Sequence, residues 1–301
     1  NNLERFFEAE ALRAGKMLKT VKMQAVGGTA EAIREGKAAV REMLAEANAM
    51  TRGPVSAEHI KIGLQCGGSD GFSGLSANPA LGKAVDLLVE NGGTAILSET
   101  PELYGIEHTL TARARDEIVG RAFLDRINWW LDYTDGRDVQ MQGIVGPGNQ
   151  DGGLANIIEK SLGGSKKGGS TGIEAVYKYA EPVTERGLVI MDTPGYDPVA
   201  ATGQIAGGAN LICFTTGRGS CFGSYPSPTI KLASNSTMYQ RMTGDMDINC
   251  GPVIDGDMTL DEMGRAIFEE ILAVASGKPS KSEALGVGAE EFAPWPIGVT
   301  G

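Results

Sequence analysis

The sequence predicts an α/β fold with a mostly parallel β-sheet flanked by helices and with glycine-rich loops at the carboxyl ends of the strands. From residue 60 onward, short apolar runs alternate with helical patterns. The runs are mostly apolar and several lack the alternation of a half-exposed strand, which is typical of parallel strands buried on both faces. Glycine supplies 43 of 301 residues, about twice the roughly 7% average, and clusters where these runs end.

Two helices are predicted before the sheet, over residues 3–19 and 29–50, and Thr29 is a suitable N-cap for the second. Pro54 then breaks the pattern. We therefore predict a helical N-terminal segment over 1–54 and an α/β domain over 55–301. The first residue is Asn1 rather than Met, so we expect the chain to belong to a longer protein.

The α/β domain shows five strand-like runs and four helical patterns. The predicted strands are 60–65, 94–98, 187–191, 210–215 and 229–233. The predicted helices are 79–90, 106–133, 199–206 and 260–275. Thr259 caps the last of these helices and Gly277 follows its end. Residues 136–172, rich in Gly and Lys, are predicted to be irregular.

Composition excludes several classes of function. The net charge of −11 argues against a nucleic-acid partner, because phosphate binding needs a basic surface. No apolar run approaches the roughly 20 residues of a membrane span, so no membrane association is expected. The four cysteines lack paired spacing and indicate reduced thiols in a cytoplasmic protein. With only His59 and His108 present, a three-histidine metal site is excluded.

The loop after the first strand is a candidate anion site. Gly68, Ser69 and Asp70 lie in a glycine-rich run, residues 67–74, whose free backbone N–H groups can converge on an anion. A structural turn is the alternative. Cys66, at the end of the strand, is either a metal ligand, a reactive thiol or an inert buried residue.

Two carboxylates follow the second strand. Glu99 and Glu102 flank Pro101 and are placed either to share a divalent cation or to divide acid and base roles. The alternative is that Glu102 only caps the next helix. His108 lies in the first turns of that helix and is a candidate for the same edge of the sheet.

Two further segments carry polar residues suited to an anion. Asn149 is a candidate to bind a substrate hydroxyl, and Lys160, Lys166 and Lys167 supply positive charge to an acidic chain. After the strand 210–215, Thr216, Gly217, Arg218 and Gly219 place an arginine between glycines, where it can form a forked pair with a carboxylate. These residues predict binding of a small polar anion.

The motifs, in this order, resemble those of the altronate/galactarate dehydratase family over essentially residues 55–300. The matching runs are LQCGGSDGFSG (64–74), ANPA (77–80), SETPE (98–102), PGN (147–149), EKSLG (159–163), TTGRG (215–219) and DINCG (247–251). The resemblance implies a hydro-lyase that removes the proton alpha to a sugar-acid carboxylate and expels the beta hydroxyl, giving a 2-keto-3-deoxy acid.

The resemblance also implies a divalent metal, with iron(II) expected and manganese or magnesium as alternatives. We assign Glu99 and Cys66 as candidate metal ligands, and Lys160, Glu102 and His108 as candidate acid–base residues. Substrate binding is assigned to the glycine loop, Asn149 and the segment around Arg218.

Two alternatives stay open. A sibling group releases sulfite from sulfolactate and works with a separate small subunit, so a homo-oligomer or such a subunit is an expected partner. The second alternative is that the chain is a fragment that binds sugar acids without converting them.

Overall fold

The computed structural model describes residue 5 and residues 17–135 and 144–298. The chain divides into two compact units, Asn1–Pro54 and Val55–Gly301. In the first unit, α1 (Met23–Val26) and α2 (Thr29–Ala49) are helical, which confirms the predicted helix 29–50. The N-cap of α2 is Gly28 at φ 107°, so the prediction of Thr29 as N-cap was wrong. The predicted helix 3–19 lies mainly outside the described residues, and residues 17–19 are not helical.

The second unit contains a seven-stranded sheet in which every pairing is parallel. The strands are β1 (Lys61–Cys66), β2 (Thr94–Leu97), β3 (Ile173–Tyr177), β4 (Gly187–Met191), β5 (Leu211–Thr216), β6 (Thr229–Ala233) and β7 (Ile248–Asn249). Their order in the sheet is β3-β4-β2-β1-β5-β6-β7. The predicted α/β fold class is confirmed, and all five predicted strands are present.

Helices follow most strands, as a parallel sheet requires. They are α3 (Ala77–Glu90), α4 (Glu107–Thr111), α5 (Glu117–Thr134), α6 (Pro147–Asp151), α7 (Ile157–Ser165), α8 (Asp197–Ala206), α9 (Ser236–Arg241), α10 (Pro252–Asp255), α11 (Leu260–Ala275) and α12 (Lys281–Leu285). Thr259 caps α11 with a reciprocal bond to Glu262, as the sequence predicts.

Two predictions about helices were wrong. The single helix expected over 106–133 is α4 and α5, because Ala114 pairs with Ile173 between them and the Asp116 side chain accepts the Val119 N–H to start α5. The segment 136–172, expected to be irregular, contains α6, α7 and a 3₁₀ turn at Lys166–Gly168. Its residues 136–143 lie outside the described part.

The central strands are fully buried, and their carboxyl ends meet at one edge of the sheet. On one face α3 and α11 cross closely, because Gly264 leaves no Cβ to strike Lys83 and the Ala80 carbonyl. The same edge receives Cys66 at the end of β1, Thr216 at the end of β5 and the loops that follow β2 and β4. Side chains distant in sequence are thereby brought together.

All four cysteines are unpaired: Cys66, Cys213 and Cys250 are buried and Cys221 is exposed. Among the helices that the structure describes, none combines the length and the apolar character needed to cross a membrane.

Candidate active site

Five ionisable side chains form a buried cluster at the carboxyl edge of β1 and β2. We call it the Cys-Glu-Lys cluster, and its members are Cys66, Glu99, Glu102, Lys160 and Lys167. None of the five is more than 9% exposed. The end of β1 supplies the thiol and the segment that follows β2 supplies the two carboxylates. The lysines come from α7 and the following 3₁₀ turn.

Each lysine is paired with one carboxylate. The Lys167 Nζ lies 2.6 Å from Glu99 Oε2 and 2.8 Å from Cys66 Sγ. The Lys160 Nζ lies 2.8 Å from Glu102 Oε1. The Cys66 Sγ is 3.6 Å from an oxygen of each carboxylate. The charges therefore balance with the thiol protonated.

The backbone at Glu99 is held in an unusual conformation. Its φ of 64° is left-handed, a region that costs a residue with a side chain on the order of 1–3 kcal/mol and that recurs at functional sites. The Glu99 N–H donates to Thr193 Oγ1 at 2.9 Å, and its carboxylate accepts the Cys66 N–H at 3.2 Å. These bonds fix the carboxylate against the end of β1.

Burial and mutual charge shift the proton affinities of the cluster. Burial raises the pKa of Glu99 to about 7, with the Lys167 ammonium acting in the opposite direction. Burial, helped by the Glu99 charge, raises the pKa of the Cys66 thiol. For both lysines burial lowers the pKa, but the acidic neighbours outweigh it and the net shift is upward. The lysines are therefore ammonium ions and Cys66 is a thiol.

Sequence reasoning missed two residues here. Lys167 was noted only as a source of positive charge. Asp197, the first residue of α8, places its carboxylate against the Cα of Gly67, and burial together with Glu99 and Glu102 raises its pKa well above the usual range. The sequence position of Asp197 could have indicated it, because the residue follows β4 closely and the ends of parallel strands meet at the same edge.

The cluster has the donors that a divalent cation needs. The ligand atoms of Cys66, Glu99 and Glu102 all lie within 4.8 Å of one another. Glu99 Oε1 is buried and has no hydrogen-bond partner among the described residues, so it has unused capacity. One sulfur and several carboxylate oxygens suit a borderline metal such as iron(II). The residues therefore have donor atoms suited to a divalent metal, and Glu102 is a further candidate ligand beside Cys66 and Glu99. The identity of the metal and the ligand roles stay predictions.

A cavity of about 540 Å³ opens beside the cluster, within the range of small-molecule sites. Its wall combines polar groups with a few apolar side chains. The lining residues are Ser69, Asp70, Gly71, Ser73, Gly74, Leu75, Asn78, Leu154, Asn156, Ile158, Glu159, Lys160, Leu162, Gly163 and Lys166. Lys160 is the one residue shared by this wall and the cluster.

Asp70 anchors a second polar group, which we call the Asp70 network: Asp70, Ser73, Ser234 and Asn235. Asp70 Oδ1 accepts from the Ser73 and Ser234 hydroxyls at 2.7 and 2.9 Å. Its Oδ2 accepts from the Asn235 amide at 3.0 Å. The carboxylate thus ties the loop after β1 to the loop after β6. Substrate binding by Asp70 stays a prediction.

Asn149 and the predicted glycines lie at the same edge. The Asn149 amide donates to the Ser69 carbonyl at 3.0 Å and its oxygen accepts the Gly146 N–H at 3.2 Å. The Gly217 N–H donates to the Gly68 carbonyl at 3.1 Å. A Cβ on Gly217 would strike the Asp70 carboxyl. These residues join the loops that follow β1 and β5.

Arg218 is exposed and its guanidinium lies against the Cα of Gly148 in α6. Within the described residues its guanidinium forms no ion pair or hydrogen bond, so the charge is available. Thr216 Oγ1 accepts the Gly219 N–H at 3.0 Å and shapes the turn that presents the arginine. Arg218 does not line the cavity, and its role in binding a carboxylate stays a prediction.

His108 is the predicted site residue that the structure does not bring to the others. Its side chain is exposed on α4, and it has no contact with the Cys-Glu-Lys cluster. The helical phase of α4 buries Leu110 instead. The acid–base role of His108 stays a prediction.

Comparison with known proteins gives one family. Residues 57–300 match the family model described as D-galactarate/altronate dehydratase, C-terminal. Galactarate dehydratase (L-threo-forming) of Escherichia coli is 41% identical over 235 residues, 78% of this chain and 45% of that protein. Altronate dehydratase of Bacillus subtilis is 36% identical over 278 residues, 92% of this chain and 55% of that protein.

A further relative is the (2R)-sulfolactate sulfo-lyase subunit beta of Chromohalobacter salexigens, which is 34% identical over 250 residues, 82% of this chain and 64% of that protein. The chain spans about half the length of the two dehydratases.

Proposed function

The chain belongs to the D-galactarate/altronate dehydratase family, and we propose that it carries catalytic residues of a hydro-lyase acting on a sugar acid of the altronate or galactarate type. The observation that supports this most is the position of Lys160. Its ammonium is paired with Glu102 inside the cluster, and the residue also lines the cavity. A proton-transfer group therefore lies at the wall of a space large enough for a six-carbon acid.

In the proposed reaction, a general base takes the proton from the carbon next to the carboxylate, and the hydroxyl on the following carbon receives a proton from a general acid and leaves as water. Glu102 and His108 are the candidates for the base. The resulting enol then becomes a 2-keto-3-deoxy acid. The proton is weakly acidic, so the negative charge that develops on the carboxylate needs strong electrostatic stabilisation. The leaving hydroxyl needs a proton donor.

We assign the donor role to Lys160. Its acidic neighbours raise its pKa against the effect of burial, so it is an ammonium and has a proton to give. Glu102 holds that ammonium at 2.8 Å and so fixes its direction. The leaving group takes the proton from Lys160 and departs as water.

Arg218 and the amides of the loop around Gly68 are assigned to the substrate carboxylate. The chain carries a net charge of −11, so the field of the whole molecule repels an anion and local positive charge has to attract it. Arg218, without an acidic partner in the described residues, supplies that charge.

A divalent metal would be held by Cys66, Glu99 and Glu102. When bound there, it supplies a Lewis acid that stabilises the charge on the substrate carboxylate. The sulfur donor favours iron(II) over magnesium, because magnesium prefers oxygen ligands throughout.

The test is turnover by the natural full-length protein that carries this sequence, supplied with iron(II) and a panel of sugar acids. Lys160→Met is expected to lower kcat by about 10²- to 10⁴-fold, the usual share of acid–base catalysis. Lys178→Met, at an exposed lysine beyond β3, is the matched control and keeps the wild-type rate. The proposal is contradicted if the wild-type protein binds sugar acids but forms no product. It is also contradicted if Lys160→Met is fully active.

Release of sulfite from sulfolactate is the second candidate. The sulfo-lyase subunit is the relative of which this chain covers the largest share, 64%. The same assay distinguishes the two reactions if sulfolactate joins the panel and sulfite is measured beside keto acid. The sulfo-lyase relative is named as a subunit beta, so a small partner subunit, or a homo-oligomer, is a proposed partner of this chain.

A further inference from the structure

We propose that Lys167 is a built-in cation that occupies the metal position of the Cys-Glu-Lys cluster, and that a divalent metal binds there only when the Lys167 ammonium moves away. The inference rests on the metal site of the proposed function. It adds that the affinity of this site is set by competition with a side chain of the protein itself.

The first support is the position of the ammonium. Lys167 Nζ lies 2.6 Å from Glu99 Oε2 and 2.8 Å from Cys66 Sγ, so it touches two of the three donors. A metal bound to the same sulfur and oxygen would sit about 2.3 and 2.1 Å from them. The two cations therefore claim the same space between Cys66 and Glu99.

The second support is the charge of the cluster. Without metal, the Glu99 and Glu102 carboxylates are balanced by the Lys160 and Lys167 ammonium groups. With metal, Cys66 binds as a thiolate and releases its proton to solvent. Three anionic ligands are then balanced by one divalent ion and Lys160, provided that the Lys167 charge has left. Retaining it would leave a net positive charge in a buried site, which is costly.

The third support is that Lys167 has a place to go. Asp197 lies beside the cluster against Gly67, it is half-buried, and the Lys167 charge acts on it. Lysine carries its charge on a flexible four-carbon chain. A turn of that chain toward Asp197 would vacate the position between the thiol and Glu99 and would leave the ammonium beside the Asp197 carboxyl.

The test is binding of cobalt(II) to the metal-free chain, followed by the thiolate-to-cobalt charge-transfer absorption. Lys167→Met keeps most of the length of the side chain and removes its charge, so the variant is expected to bind cobalt at least about tenfold more tightly than wild type. The neighbouring Lys166→Met, whose ammonium instead donates to the Gly74 carbonyl, is the matched control and keeps the wild-type affinity. Equal or weaker binding by folded Lys167→Met overturns the proposal.

A measurement on the wild-type chain covers the case in which Lys167→Met does not fold. In protein labelled with ¹⁵N at lysine Nζ, the buried Lys167 ammonium should give a resolved signal that Lys167→Arg lacks. Zinc(II) is expected to shift or remove that signal. A signal unchanged while zinc is bound overturns the proposal, as does a failure of the site to bind zinc and cobalt. Turnover is measured separately, so either result is distinguishable from loss of the dehydratase reaction.

Discussion

The Cys-Glu-Lys cluster and the Asp70 network are both buried polar groups at the carboxyl edge of one sheet, but their bonding differs. Asp70 has four neutral donors on its carboxylate: the hydroxyls of Ser73 and Ser234, the Ser73 N–H and the Asn235 amide. In the cluster, the carboxylates are paired with ammonium ions and the Oε1 of Glu99 has no partner within the described chain.

We propose that this difference separates a structural role from a chemical one. A carboxylate whose oxygens are filled by neutral donors holds loops together and has little left for a ligand. A buried group of charges that includes an unpartnered oxygen costs folding free energy. Such a group can bind one cation in place of another. The two regions both have carboxylates at the same kind of position, close to the end of a strand. They differ in the hydrogen-bond and ion-pair partners of those carboxylates.

The largest expected difference between the two regions is in their response to pH. Burial raises the pKa of Glu99 from 4.5 to about 7. Between these values the unfolded chain releases the proton and the folded chain keeps it, so the free energy of unfolding should fall as pH rises from 4.5 to 7. The loss is at most about 3 kcal/mol.

Urea unfolding of the metal-free protein across this range measures the effect. Glu99→Gln cannot titrate at this position and should lose less stability over the same interval. Parallel profiles for wild type and Glu99→Gln would show that the Glu99 carboxyl is not held in its protonated form by burial.

Asp70→Asn should itself lower the free energy of unfolding by about 1.5–3 kcal/mol at neutral pH, because its bonds are made to a charged group. Cobalt affinity of the cluster should be unchanged in this variant. A large loss of metal binding with little change in stability would reverse the roles assigned to the two regions.

The smallest effect on stability is expected at Arg218. Arg218→Ala removes an exposed side chain and should change the free energy of unfolding by less than about 0.5 kcal/mol. Its sugar-acid dissociation constant should rise about tenfold or more, since a charge-assisted bond is lost. Calorimetric titration of a sugar acid into both proteins gives the comparison, and a substantial fall in stability would mean that the arginine is structural.

Much of the fold was predictable because β1, β2, β4, β5 and β6 are short runs rich in apolar residues. The strands that were missed lie at the edges of the sheet. β3 is partly exposed along most of its length and β7 has two residues, so neither shows a buried run. The helix expected over 106–133 divides because of a cap at Asp116 and a pairing with β3, and the pairing depends on a strand that the pattern did not reveal.

The candidate site was predictable to the extent that strand ends share an edge. Cys66, Glu99 and Glu102 follow neighbouring strands, and the structure brings them together with Lys160. Lys167 lies 101 residues from Cys66, and no local pattern reports such a contact. The direction of the His108 side chain depends on the rotational phase of α4, which the sequence of so short a helix does not determine.

The Cys-Glu-Lys cluster is the proposed cation site of the reaction. Anomalous diffraction from crystals of the protein soaked in manganese(II), collected with and without the metal, tests this most directly. We predict a single strong peak between Cys66 Sγ and the carboxylates of Glu99 and Glu102, with the Lys167 ammonium turned away. A peak elsewhere, or a Lys167 ammonium still on Glu99 in a metal-loaded crystal, would contradict it.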